Sequence, residues 1–167
     1  DAWGRRVDEI RTSPAWESLR VFSAEQGLVA TGYEEGLGEH RRIVQAGLLY
    51  LYAATSATYS CYLAMTDAAA RVLTDLAPAT LRDRLAPGLT SRDPGRFITS
   101  GQWMTERTGG SDVGGTETVA RPLAVVGEER RYTLHGTKWF TSATTSEMAL
   151  TLARIDDGTN DPVAGSR

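Results

Sequence analysis

The chain has 167 residues, 41% hydrophobic and 23% charged, with a net charge of −3. That length can bury a real core in one domain or somewhat more, and the composition is ordinary for a globular protein. The absence of a basic excess argues against a nucleic-acid grip, and a single cysteine, Cys61, excludes an intrachain disulfide scaffold.

Ser13-Pro14 makes a good helix opening, with Ser as cap and Pro in the first turn. Trp16, Leu19, Val21, Phe22 and Ala24 follow helical spacing, and Gly27 is a plausible stop. Residues 33–38 read as a polar loop in which Glu34 and Glu35 are solvated rather than an acid/base pair. From Ile43 to Thr66 there is no charge, but Gln45, Thr55, Ser56, Thr58 and Ser60 favour a helix packed inside protein over a membrane span. A break is expected near Ser60-Cys61, with Cys61 as a small buried filler. Met65, Ala69, Val72, Leu73 and Leu76 mark a second helix, with Asp67 and Arg71 paired on its outer side.

Pro78, Pro87 and Pro94 punctuate the next stretch. A short helix fits residues 79–85, with Arg82, Asp83 and Arg84 on its wet face. The turn cluster at residues 91–96 places a domain boundary there: 1–95 helical, 96–167 a second unit. Beyond it, short alternating runs at 97–104, 116–126, 131–135, 138–142 and 148–155 predict an antiparallel sheet, with a hairpin connection at Gly127-Glu128-Glu129-Arg130. Residues 156–162 read as a turn; their acids do not match an EF-hand loop. With two histidines, His40 and His135, no zinc spacing is present and no metal is expected. His135 is assigned a structural role beside the aromatic pair Trp139-Phe140. Asp1 opens the chain without methionine, and both ends look cut, so a piece of a longer polypeptide is expected.

Two stretches carry the chemistry. Residues 102–115 run Gln-Trp-Met-Thr-Glu-Arg-Thr-Gly-Gly-Ser-Asp-Val-Gly-Gly after a strand-like run. Glycines let a backbone approach a ligand closely and present N–H groups as a nest for phosphate, and Thr105 and Ser111 add hydroxyls. Residues 135–143 run His-Gly-Thr-Lys-Trp-Phe-Thr-Ser-Ala. No Ser-His-Asp or Cys-His arrangement, Rossmann fingerprint or P-loop is visible.

In this order the two stretches resemble the flavin-binding signatures of the acyl-CoA dehydrogenase family. They are most similar to the branch related to the bacterial alkylation-response flavoproteins. The likeness runs over residues 15–154, and only the two motifs are specific. It implies an α+β fold: an N-terminal all-α domain, then an incomplete antiparallel β-barrel-like domain. It implies FAD, with Gly110 and Ser111 at the pyrophosphate, Met104 and Thr105 touching the isoalloxazine, and Phe140 packed on the ring. Thr141 and Ser142 come next, Ser142 standing where the family usually has threonine near flavin N5, and Ser111 is also expected near substrate. A fixed donor at N5 would stabilise the reduced ring.

The resemblance further implies hydride transfer from an acyl thioester, with the glutamate base in a C-terminal domain, so no catalytic residue is assigned here. Glu106 is structural by the same likeness. Arg107 stands where many members have proline, and Gln102 where many have an aromatic, which puts a straight-chain acyl-CoA substrate in doubt more than the cofactor. Two alternatives keep the fold: a flavin oxidase or monooxygenase, or a DNA-associated alkylation-response flavoprotein, which the acidic balance does not help. Implied partners are an acyl-CoA-like substrate, the remaining C-terminal part and a homodimer or homotetramer. No membrane is expected, and the implied setting is intracellular: cytoplasm, mitochondrion or peroxisome.

Overall fold

A computed structural model describes residues 2–156 and Gly158. The chain forms four α-helices and five β-strands among these residues. Helix α1 (Pro14–Glu25) starts where the Ser13 hydroxyl accepts from the Trp16 N–H at 3.3 Å, with Pro14 in the first turn. It stops at Gln26, and Gly27 adopts φ +63° just beyond. A side chain at Gly27 would also collide with the Arg92 guanidinium.

The segment 33–40 is less loop-like than expected. A short 3-10 stretch covers Glu35–His40, and Glu34 pairs with Arg92 at 2.5 Å rather than lying free in solvent. Helix α2 (Arg41–Ala53) buries Gln45 and Tyr52. Its far side is not buried: Ile43, Tyr50 and Leu51 are 72%, 81% and 72% exposed, so the uncharged run is not a fully packed helix in this chain. Among the described residues no helix is long and apolar enough to cross a membrane.

The break comes earlier than Ser60-Cys61, at residues 54–58, where Ala57 has φ +48°. Helix α3 (Tyr59–Leu76) then buries Tyr59, Leu63, Thr66, Ala70 and Leu73, the spacing of one helical face. Cys61 sits two residues from Tyr59, roughly 200° round the helix, and is exposed rather than buried. Asp67 does not pair with Arg71: it meets Arg42 at 2.9 Å, while Arg71 meets Asp75 at 2.6 Å. Helix α4 (Ala79–Leu89) runs past residue 85 and through Pro87. Pro87 has no N–H for the Asp83 carbonyl, but the last turn still closes with the Thr90 N–H on the Ala86 carbonyl at 3.1 Å, and Leu89 is fully buried there.

Two apolar clusters hold the chain together. One joins α1, α2 and α3 through Ala24, Tyr52, Tyr59 and Leu63, and takes in Phe97. The other joins α3 and α4 through Ala70, Leu73 and Leu89, with Ile98, Met148 and Leu150 packed against it. The helical and strand regions are therefore bound by shared core. Polar links reinforce it: the Ser100 N–H donates to Thr66 Oγ1 at 3.1 Å, and the Arg20 guanidinium caps the carbonyls of Pro94 and Phe97.

The strands are β1 (Ser100–Trp103), β2 (Val119–Val126), β3 (Glu129–His135), β4 (Met148–Thr151) and β5 (Arg154–Ile155). They form two small sheets, ordered β1-β4 and β3-β2-β5, and no closed barrel. Among the named strands only the β2–β3 hairpin is antiparallel; it turns at Gly127 (φ +62°) and Glu128, so Glu129 and Arg130 belong to β3 and not to the connection. The register slips between Pro122 and Ala124, as a proline inside a strand requires. β1–β4 and β2–β5 are parallel, against expectation. The long excursion between each pair brings the chain back in the same direction, which a tight hairpin cannot do. Residues 138–142 are not a strand. Only Lys138 makes a bridge, to Glu106, and the chain then twists through Phe140 at φ +57°. The turn expected at 156–162 falls almost wholly outside the described residues.

Candidate functional site

The loop after β1 and the segment after β3 meet. The Trp139 N–H donates to the Thr105 carbonyl at 2.8 Å, and Trp103 Nε1 donates to the Ser142 carbonyl at 2.8 Å. The second contact depends on Gly101, whose missing Cβ would lie 2.9 Å from the Ser142 carbonyl oxygen. At the centre Glu106 and Lys138 form an ion pair at 2.7 Å, with side chains only 5% and 9% exposed.

Glu106 is saturated with donors. Its carboxylate accepts from Thr118 Oγ1 at 2.6 Å, Glu117 N–H at 2.6 Å, Thr118 N–H at 3.1 Å and Thr116 Oγ1 at 3.3 Å, besides Lys138. Burial alone would raise its carboxyl; the Lys138 ammonium, the Thr118 hydroxyl and the Glu117 and Thr118 N–H groups outweigh it and hold Glu106 well below the usual carboxylate range. A buried carboxylate so satisfied is a structural anion, not a base waiting for a proton. Lys138 also donates to the Thr116 hydroxyl at 3.3 Å and to the Met104 carbonyl at 3.4 Å. Arg154 braces the same loop through the carbonyls of Thr116, at 2.7 Å, and Gly114.

Beside this anchor lies a cleft of about 190 Å³ lined by Met104, Glu106, Thr108, Gly109, Asp112 and Thr116, among others. Met104 alone of the expected cofactor residues lines it. Thr105 is half-buried, with Gly110 close enough that a Cβ there would stand 3.3 Å from its side chain. Gly110 and Ser111 are exposed. Phe140 is 77% exposed, Thr141 half-buried and Ser142 exposed. Each expected residue therefore hangs from the Trp103–Glu106 segment or sits within a few positions of one that does. Ser111 belongs to the first loop and Ser142 to the second segment, and neither lines the cleft. His135 is exposed at the end of β3, with Nε2 3.2 Å from Thr133 Oγ1.

Sequence reasoning assigned no role to Lys138, Trp103, Thr118 or Arg154. The signal was present for one of them: a lysine inside an otherwise aromatic and hydroxyl run needs a partner, and Glu106 occupies the matching place in the first motif. Among the described residues no group of acids, histidines or cysteine is placed to hold a metal ion.

Residues 1–94 match the family described as the adaptive response protein AidB N-terminal domain, and residues 101–165 match the acyl-CoA dehydrogenase middle domain. The chain belongs to the acyl-CoA dehydrogenase family. Acyl-CoA dehydrogenase family member 11 of Caenorhabditis elegans is 43% identical over 172 residues, which cover 100% of this chain and 27% of that protein. Among solved structures, Bd2924 in its apo form superposes with a TM-score of 0.85 at 57% identity, over 94% of this chain and 31% of that one. Caenorhabditis elegans ACDH-11 in complex with C11-CoA superposes with a TM-score of 0.85 at 42% identity, over 96% of this chain and 27% of that one. The chain spans about a quarter to a third of the length of these acyl-CoA dehydrogenase relatives.

Proposed function

We infer that the whole protein is an FAD-dependent oxidoreductase of the acyl-CoA dehydrogenase type, and that residues 96–167 supply one wall of its flavin site while residues 1–95 form its N-terminal helical domain. The observation that carries this is the join between the two motifs: the Trp139 to Thr105 main-chain bond at 2.8 Å, backed by the buried Glu106–Lys138 pair. A cleft of about 190 Å³ lies below the range of pockets that enclose a drug-sized ligand, so it fits a phosphate group or a ring edge rather than a whole dinucleotide. The remainder of the pocket, and the base, come from the rest of the polypeptide.

The residues fit FAD in character. Among the described residues the N–H groups of Gly110, Ser111 and Asp112 find no main-chain acceptor, so they can serve a diphosphate as a nest. Met104 and Thr105 offer main-chain and hydroxyl contacts to the polar edge of a flavin. Phe140, exposed and held at positive φ, offers a face for the ring, and strained backbone of that kind gathers at ligand sites. Ser142 would donate near N5. Bound FAD supplies the acceptor for the hydride that leaves the β-carbon of an acyl thioester. That a relative was solved with C11-CoA supports an acyl-CoA as the substrate class.

Full-length protein should be isolated yellow and lose its visible absorbance anaerobically on addition of a saturated acyl-CoA. Flavin that stays oxidised with every thioester tried would overturn the dehydrogenase assignment. Colourless protein that takes up no added FAD would overturn the flavin site itself.

A further inference from the structure

We propose that Glu106 and Lys138 are positioning residues that set where the flavin ring rests, a role that depends on the flavin assignment just made. Four observations converge. Lys138 bridges the two motifs, holding Glu106 at 2.7 Å and touching the carbonyl of Met104 at 3.4 Å. Met104 lines the cleft, and its neighbour Thr105 receives the Trp139 N–H. Glu106 pins a third segment, residues 116–118, from which Thr116 contributes to the same cleft. Both side chains are buried, so neither is available to touch substrate.

A buried ion pair adds little to stability compared with well-packed apolar side chains, and its better-supported use is to select one arrangement over others. Here the arrangement it selects is the spacing between the Met104–Thr105 backbone and the Trp139-Phe140 backbone. A ring lying against both feels any change in that spacing. Substituting the pair should therefore alter how flavin is held, and not only how stable the fold is.

The test uses the full-length apoprotein titrated with FAD, measuring flavin fluorescence, the absorption bands of the bound flavin, and thermal melting without FAD. Lys138→Met keeps the aliphatic stem and removes the ammonium. Arg42→Met breaks an ion pair of the helical region, Arg42–Asp67 at 2.9 Å, and controls for stability loss alone. The expected result is a rise in the FAD dissociation constant of about tenfold or more for Lys138→Met, with shifted absorption bands, and wild-type values for Arg42→Met even where both melt earlier. Glu106→Gln keeps the shape and should give a smaller change in the same direction; it carries the test if Lys138→Met does not fold. Unchanged affinity and bands in both variants would overturn the positioning role. So would an equal change in Arg42→Met. Wild-type apoprotein that binds no FAD would instead overturn the flavin assignment, and this role with it.

Discussion

Gly136→Ala should destabilise the protein by about 2–5 kcal/mol, although glycine to alanine stabilises where backbone and space admit it. The reason is local crowding. An ideal Cβ at Gly136 would collide with Thr118 Oγ1 and lie 2.7 Å from Thr118 Cα and 2.8 Å from Thr118 Cβ. Two of those atoms belong to, or sit directly on, the backbone, so no rotamer change clears them. Thr118 cannot step aside cheaply either. Its N–H and hydroxyl both donate to Glu106, at 3.1 and 2.6 Å, and its carbonyl accepts from Arg154 N–H at 2.8 Å.

Overpacking of this kind costs about 1–3 kcal/mol, and weakening one hydrogen bond to a buried charge adds about 1.5–3. The entropy gained by removing a glycine from the unfolded chain returns about 0.4–1 kcal/mol. Melting of the full-length protein, monitored by circular dichroism with urea unfolding as a second measure, would read the difference. Gly47→Ala is the matched control: it sits in helix α2 with nothing within 4 Å of its Cβ, and should stabilise by up to about 1 kcal/mol. A G136A variant as stable as wild type would show that the hairpin and the Glu106 anchor move independently, which the bonding around Thr118 does not allow.

Phe97→Ala should cost about 3–5 kcal/mol in urea unfolding, because the ring is 1% exposed and joins the helical core to the strand region. Trp103→Phe removes the Nε1 donor to the Ser142 carbonyl and should cost about 0.5–1.5 kcal/mol, with higher amide exchange at residues 141–143 as its local signature. The protein should lose stability as pH rises above 10. Burial pushes the Tyr33 phenol up to about 12, so the unfolded chain ionises first; stability is full below the ordinary value of 10.0 and falls as pH climbs toward 12. Tyr33→Phe should lessen that alkaline loss in a pH series of melting curves, the Tyr52 and Tyr59 phenols, also pushed up by burial, supplying the remainder. The acid side runs the other way: Glu106 is held below its ordinary value of 4.5, so its contribution is complete above that pH and is lost as pH falls below it. Glu106→Gln should be less stable than wild type at neutral pH, with the gap narrowing in strong acid.

Local chemistry made the helical region legible. Ser13, Pro14 and Gly27 act within one turn of themselves, so their effect can be read from neighbours in sequence. Where a boundary depended on packing, the sequence was a poorer guide. Nothing in Ala54-Thr55-Ser56-Ala57-Thr58 marks a break as proline or glycine would, and placing the break at Ser60-Cys61 removed Cys61 from the helix whose phase turns it outward. Strand pairing was less legible still. The alternation of apolar residues is the same for a strand paired with its neighbour as for one paired far along the chain, so β1 with β4 could not be foreseen. Residues 138–142 alternate like a strand, but the left-handed turn at Phe140 ends any pleat there. Charged pairs showed the same limit. Asp67 and Arg71 are spaced to pair within one helix, yet a better partner, Arg42, arrives from α2 with its guanidinium over the Tyr33 ring at 4.4 Å.

The site divides into a floor and a rim, and the division bears on what it can bind. The floor is Glu106, Lys138, Thr116 and Thr118: buried, mutually satisfied, and held without help from a ligand. The rim is residues 107–115 on one side and Phe140 on the other, all exposed. Floor side chains have spent their hydrogen-bonding capacity on each other, which leaves ligand contacts to the Met104–Thr105 segment, to Ser142 and to the rim, where main-chain N–H groups meet solvent on one side and an aromatic face meets it on the other. Those are opposite chemistries. The glycine-rich side suits an anion, the aromatic side a flat apolar ring, and the buried pair fixes their separation. A ligand that satisfies both must itself carry a planar ring and a charged tail joined by a spacer. On the reading proposed above a dinucleotide flavin is such a ligand, whereas a simple phosphate or a simple hydrocarbon would engage one side and leave the other bare.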